Sequence, residues 1–277
     1  MTAWHEGDLT ANGIRIHYTR TGAPSDAKPA VVLAHGFSDD GLCWTPVAAA
    51  LADDYDVIMV DARGHGRSAA PEDGYGAVEQ AADLRDFIAA LGLRRPAVLG
   101  HSMGALTALV LAGNDPDVPG AILLEDPPDR WMAASKTGSG DTLWQERMRV
   151  WLAGLKRMSR DEKIATERAV NPGWSDAELG PWADAKERVS LNVLNRANDT
   201  PLDLPATARR IRCPALLLTG DVERGALVSP DAAVALQALV PQLRIAHIPG
   251  AGHSVRRDRF SRYLEVVRGF LGELPQA

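Results

Sequence analysis

PAVLGHSMGALTALVLAG, residues 96–113, places Ser102 between Gly100 and Gly104. A short apolar run precedes the serine and a longer apolar run follows it. The first run has the length of a buried strand, and the second has that of a helix. The chain must therefore reverse sharply at Ser102. Glycines two residues before and two after relieve the crowding that such a reversal creates. The turn lifts the hydroxyl above the sheet edge, and the new helix aims its free N–H groups at the same point. A G-x-S-x-G pentapeptide alone would be a weak signal. Between a strand and a helix it marks a serine nucleophile.

The same rhythm extends in both directions. Before the motif, DLTANGIRIHYTR (8–20) reads as a hairpin turning at Asn12-Gly13. AVVLAHG (30–36) and DVIMVDARG (56–64) read as buried strands, and VEQAADLRDFIAALG (78–92) as an amphipathic helix closed by Gly92. After it come a strand in GAILLEDPP, a strand in CPALLLTGD, a helix in SPDAAVALQALV, a strand in RIAHIPG and a closing helix in FSRYLEVVRGFLGEL. Strands alternating with helices predict crossover units, a mainly parallel sheet and helices on both faces.

Residues 127–198 break the alternation. Their pattern is helical, and they hold Trp131, Trp144, Trp151, Trp174 and Trp182 of the chain's seven tryptophans. An insertion at this point sits over the carboxyl ends of the strands, where open α/β sheets bind ligands. It is read as a helical lid, with residues 1–126 and 199–277 forming the core domain. Trp131, Trp151 and Trp182 are candidates to face a substrate, although each could equally pack the lid's own small core.

Composition sets outer limits. A chain of 277 residues with 45% apolar content can bury one large core. The net charge of -6 and the absence of a long Lys/Arg cluster argue against a nucleic-acid face. The basic pairs, Arg256-Arg257 among them, read as solvated loops or helix ends. Two cysteines make no disulfide framework and point to a reducing compartment. The N-terminus has no basic, apolar leader pattern, and no apolar run reaches about 18 residues. The expectation is a cytoplasmic protein without a membrane span. Phosphate-loop and H-E-x-x-H patterns are absent, so neither a metal nor a cofactor is expected.

A serine needs a base. Of the histidines, His253 in PGAGHSV lies in a glycine loop just after the last strand, from which it can reach back to Ser102. His247 lies inside that strand. His35 and His65 sit in glycine turns and are read as loop braces. His101 points away if the turn at Ser102 forms, and His5 and His17 are remote in sequence. Two N–H donors are needed for a developing oxyanion. Met103, next to the serine, supplies one, and Phe37 in the HGF turn is the natural second.

Taken together, AHGF, DARGHGRS, GHSMG, LLLTGD and PGAGH resemble the α/β-hydrolase superfamily in order and spacing. The resemblance covers nearly the whole chain apart from the lid. It implies a mostly parallel eight-stranded sheet, a Ser–acid–His triad and hydrolysis of an acyl bond. Many relatives carry an aspartate in a G-x-x-D turn; here Gly220-Asp221-Val222-Glu223 puts Glu223 in that place. The alternative is the end of the strand ILLEDPP, where Glu125 is followed by Asp126. That arrangement resembles haloalkane dehalogenases and the fungal zearalenone lactone hydrolase type. Glu125 is the first choice for the acid, Glu223 the second, with Asp126 and Asp221 behind them.

The expected activity is a serine hydrolase acting on an ester or lactone of an apolar or aromatic small molecule. Carbon–carbon bond hydrolysis and cofactor-free perhydrolysis are alternatives on the same residues. A ligand-binding sensor with a vestigial triad is the alternative from another class.

Overall fold

The computed structural model describes residues 4–22, 28–132, 142–196 and 198–275. Eight strands form one sheet: β1 His5–Ala11, β2 Ile14–Arg20, β3 Ala30–Ala34, β4 Asp56–Val60, β5 Ala97–His101, β6 Ala121–Glu125, β7 Ala215–Thr219 and β8 Leu243–His247. Their spatial order is β1-β2-β4-β3-β5-β6-β7-β8. The first two pairings are antiparallel and the remainder parallel. The β1–β2 turn uses Asn12 and Gly13, both at positive φ (46° and 77°), as a two-residue hairpin requires.

Strand alternation sorts the core into two layers. Val32, Val98, Ile122 and Leu217 pack on one side with α2 (Ala77–Ala90), α3 (Met103–Asn114) and α8 (Pro230–Leu239). Val31, Leu99, Leu123 and Leu216 pack on the other with α1 (Thr45–Leu51) and α10 (Phe260–Gly272). Helix α3 is buried from Gly104 to Gly113, which explains why its sequence is apolar all round.

The register aligns the carboxyl ends. Ala34 pairs with Gly100, His101 with Glu125, and Glu125 with Leu218. The turns after β3, β5, β6 and β8 therefore open on one edge of the sheet.

Between β6 and β7 the described residues form helices and no strand: α4 Thr142–Arg157, α5 Arg160–Val170, α6 Asp176–Arg188, a 3-10 turn Leu191–Leu194 and α7 Leu204–Ala208. Ser159 and Glu162 close a capping box at the start of α5. Trp174, Leu179 and Trp182 make a small core of their own with Leu155. Among the described residues no helix is long and apolar enough to cross a membrane.

Candidate active site

Ser102 follows β5 at φ 50°, ψ −111°, a conformation that only surrounding structure can hold. Its N–H donates to the Glu125 carbonyl at 2.9 Å, and its carbonyl accepts from Leu106 N as α3 begins. The flanking glycines have a steric cause. A Cβ on Gly100 would lie 2.2 Å from the Gly104 carbonyl oxygen, and one on Gly104 would lie 2.2 Å from that of Ala34. The turn can form only without those side chains.

The HGF turn closes over the serine. A Cβ on Gly36 would stand 2.5 Å from His101 Nδ1 and 3.5 Å from Ser102 Cβ. The Gly36 carbonyl points back into its own turn, toward His35 Nδ1 at 2.8 Å and Asp39 N at 3.1 Å. In a trans peptide the following N–H points the opposite way, so Phe37 N–H faces outward. Among the described residues neither Phe37 N–H nor Met103 N–H donates to a protein acceptor. These are the two donors expected at an oxyanion position. His35 and His65 serve as braces: His35 Nε2 accepts from Ala62 N at 2.9 Å and His65 Nε2 from Ser38 N at 3.3 Å. Burial, reinforced by His35, pushes the His65 pKa down to about 3, so it stays a neutral acceptor.

His253 follows β8 and meets Asp126: Nδ1 lies 2.6 Å from Asp126 Oδ2. Asp126 is fully buried and sits at φ 42°. Its oxygens also accept from Leu227 N at 2.8 Å and Val228 N at 3.0 Å. With main-chain donors on both oxygens, the group meets His253 as an acceptor. That fixes the His253 proton on Nδ1 and leaves Nε2 free to accept one. The His253 side chain is 34% exposed, so its far edge stays open.

Glu125, the first-choice acid, does not reach His253. Strand alternation turns its side chain to the α1/α10 face, where Oε1 accepts from Arg256 N at 2.9 Å and Oε2 from Arg256 Nη1 at 3.2 Å. Burial raises the pKa of this carboxyl, and the Arg256 charge opposes the rise. The left-handed residue that follows turns the chain, so Asp126 points across the top of the sheet. Glu223 is exposed in the 3-10 turn Val222–Arg224, and Asp221 accepts from Gly250 N at 2.7 Å instead. Asp126 was thus the less favoured of the two adjacent carboxylates by sequence. The missing signal was the partner of Glu125. Arg256 and Arg257, read as solvated, are buried, and their guanidiniums lie over Trp44 at 4.2 Å and Trp174 at 4.7 Å.

His101, expected to point away, lies beside His253. Its ring lies 4.8 Å from that of His253, and its Nε2 donates to the His253 carbonyl at 3.1 Å. Burial, with the Arg256 charge, holds its pKa well below the usual range, so it is a neutral donor.

Of the three tryptophans proposed to face a substrate, Trp131 and Trp182 pack in cores. Trp131 is buried in the core with Nε1 on the Ala232 carbonyl at 2.8 Å. Trp182 belongs to the insertion's own core, and Trp151 stands 39% exposed on α4. Trp144 instead meets the HGF turn, its ring 5.3 Å from that of Phe37. It packs there with Met148, Val193 and Leu194. A small cavity lies behind Met103 and Gly104, lined also by Ala34, His35 and Thr107. A cavity of about 570 Å³ lined by Ala30, Arg94 and Gly120 lies at the opposite, amino ends of the strands. Among the described residues no group of three or more His, Cys, Asp or Glu is placed to hold a metal ion.

Residues 31–266 match the model of the alpha/beta hydrolase family. The chain belongs to that family. Alpha/beta hydrolases similar to it include the N-formylmaleamate deformylase of Pseudomonas putida, 29% identical over 268 residues that cover 96% of each chain. The 2-(acetamidomethylene)succinate hydrolase of Mesorhizobium japonicum is 28% identical over 88% of each. Among solved alpha/beta hydrolases, the enol-lactonase of Burkholderia xenovorans LB400 superposes with a TM-score of 0.74 at 26% identity, over 96% of this chain and all of that one.

Proposed function

We propose that this alpha/beta hydrolase cleaves an acyl bond through an acyl-enzyme on Ser102. His253 Nε2 takes the serine proton as Oγ attacks the carbonyl, and later returns it to the leaving group. Asp126 keeps the imidazole in the required tautomer and stabilises the imidazolium. Phe37 N–H and Met103 N–H bind the oxyanion of the tetrahedral intermediate. A water activated by the same histidine then frees the acid and the serine. The observation that carries this reading is the His253–Asp126 contact at 2.6 Å, on the sheet edge where Ser102 is held at φ 50°.

A carboxylic ester or lactone is the substrate class of this reading. The enol-lactonase likeness and the apolar wall of Phe37 and Trp144 support it. Residues 127–198 act as the lid, with α4 carrying Trp144 over the HGF turn. A second reading, favoured by the names of two relatives, is an N-acyl bond in a small carboxylated substrate. The same intermediates serve both, because the chemistry at Ser102 requires only an acyl carbon and a protonatable leaving group.

A fluorophosphonate probe tests the nucleophile. The expected result is stoichiometric labelling that Ser102→Ala abolishes. No labelling of folded protein, or labelling that survives the substitution, refutes the reading. A panel of aryl esters, lactones, N-formyl amides and diketones separates the substrate classes by kcat/KM.

A further inference from the structure

A buried set of charges lies beneath the site and is used by none of the steps above. Asp39, two residues after Phe37, is 4% exposed and meets three cations from two other parts of the chain. Lys186 of α6 places Nζ 2.9 Å from Asp39 Oδ1 and 3.0 Å from the Ser38 carbonyl. Arg257 places Nη2 2.9 Å from Asp39 Oδ2, with Arg256 Nη2 at 3.5 Å. Both arginines lie on α9 (Val255–Asp258), which begins two residues after His253. Burial alone would raise the Asp39 pKa, but the Arg257, Lys186 and Arg256 charges hold it well below the ordinary value.

The connections run on to the reacting groups. Asp39 N–H fixes the Gly36 carbonyl, and that carbonyl sets the direction of Phe37 N–H. Ser38, at φ 64°, is held at its N–H by His65 and at its carbonyl by Lys186. On the other side, Asp258 of α9 accepts from Gly252 N at 2.7 Å, next to His253, and from Trp174 Nε1 at 2.8 Å. Trp174 and Lys186 both belong to the insertion, and Lys186 lies over the Trp182 ring at 4.9 Å. The insertion thus grips the oxyanion turn through Lys186 and the loop of the base through Trp174.

We propose that Lys186 is a positioning residue: through Ser38 and Asp39 it sets the Phe37 N–H, so that the insertion aligns the oxyanion site as well as covering it. A lid whose role is cover alone has no need of a lysine 1% exposed and aimed at the turn beside the nucleophile. The proposal rests on the acyl-enzyme reading above. Its test compares variants with wild type, so its failure leaves that reading intact. If the wild type is not labelled by a fluorophosphonate, the reading fails first.

The experiment uses Lys186→Gln and Lys186→Met, with Lys163→Met as control. Lys163 is equally buried in the insertion, but its Nζ serves the Met158 carbonyl at 2.9 Å and Glu187, away from the site. Steady-state kinetics on p-nitrophenyl acetate are paired with the inhibition constant of an aryl trifluoromethyl ketone, which forms an oxyanion on Ser102. Lys186→Met is expected to lower kcat about 10- to 100-fold with KM within about threefold, and to weaken the ketone by the same factor. Lys186→Gln keeps a donor for the Ser38 carbonyl and is expected to lose about tenfold. Lys163→Met is expected to lower the melting temperature alone. If Lys186→Met does not fold, Lys186→Gln decides. A kcat and ketone affinity within about threefold of wild type in folded Lys186→Gln, or an equal kcat loss in Lys163→Met, overturns the proposal.

Discussion

Exchanging Asp126 for asparagine separates the two adjacent carboxylates in one measurement. Asp126 accepts from three donors: His253 Nδ1, Leu227 N and Val228 N. An asparagine has one acceptor oxygen and one donor nitrogen, so it cannot satisfy all three. His253 Nδ1 and Leu227 N share Oδ2, whereas Val228 N sits on Oδ1; if the amide oxygen stays with Val228 N, the NH2 faces both His253 Nδ1 and Leu227 N. The imidazole then carries its proton on Nε2 and cannot accept one from Ser102. Loss of the required tautomer costs about 10⁴ in kcat, or about 5.4 kcal/mol of transition-state stabilisation. Glu125→Gln has the opposite signature. It removes the charge beside Arg256, which is fully buried and keeps only Asp39 at 3.5 Å as a counter-charge. Breaking a buried pair in this way costs about 3 kcal/mol of stability. For a chain of this size that lowers the melting temperature by about 6–12 °C. The assay is kcat on an aryl ester, normalised to folded protein, beside a thermal melt of each variant. The expected pattern is Asp126→Asn folded and inert, and Glu125→Gln less stable and active within about tenfold. Folded Glu125→Gln with kcat reduced 10⁴-fold, beside active Asp126→Asn, refutes the assignment.

Gly104→Ala forces a Cβ to within 2.2 Å of the Ala34 carbonyl; activity is expected to fall at least about 100-fold as the turn shifts, measured as the fluorophosphonate labelling rate. The His65 pKa of about 3 lies below its unfolded value, so the unfolded chain takes up the proton first as pH falls. Stability present above pH 6.5 is then lost progressively down to about pH 3. Between pH 6.5 and 5 the loss is about 2 kcal/mol. Urea titrations at pH 7 and pH 5 should show this loss in wild type and a smaller one in His65→Gln; equal losses refute the attribution. Trp144→Ala opens the wall against Phe37 and is expected to raise KM for aryl esters about three- to tenfold with kcat little changed; an unaltered KM counts against a wall at that position.

The sequence carries the scaffold because each local rule agrees with the next. Apolar runs set the strands, Asn12-Gly13 sets the hairpin, and the glycines at 100 and 104 mark the reversal at Ser102. His253, the base of the proposed mechanism, is placed by sequence because a base needs a loop at the strand carboxyl ends, and one glycine loop meets that need. The acid is less legible for a physical reason. Glu125 and Asp126 differ by one residue, and which of them crosses the sheet depends on a positive φ that no side chain announces. The Arg256-Arg257 pair shows the same limit. Two adjacent cations look solvated until Asp39, Glu125 and Glu178, distant in sequence, converge on them. Tryptophan counting located the insertion but not its inner face, since Trp131 and Trp182 fill cores while Trp144 meets Phe37.

Asp126 is anchored by main-chain donors of Leu227 and Val228, not by their side chains. Leu227, 41% exposed, can therefore vary while the carboxylate stays in place, whereas Val228 is packed in the core. Proline is the exception, because it would delete a donor. The side chain at 227 is thus separable from the anchor of Asp126, provided the backbone keeps its two N–H groups.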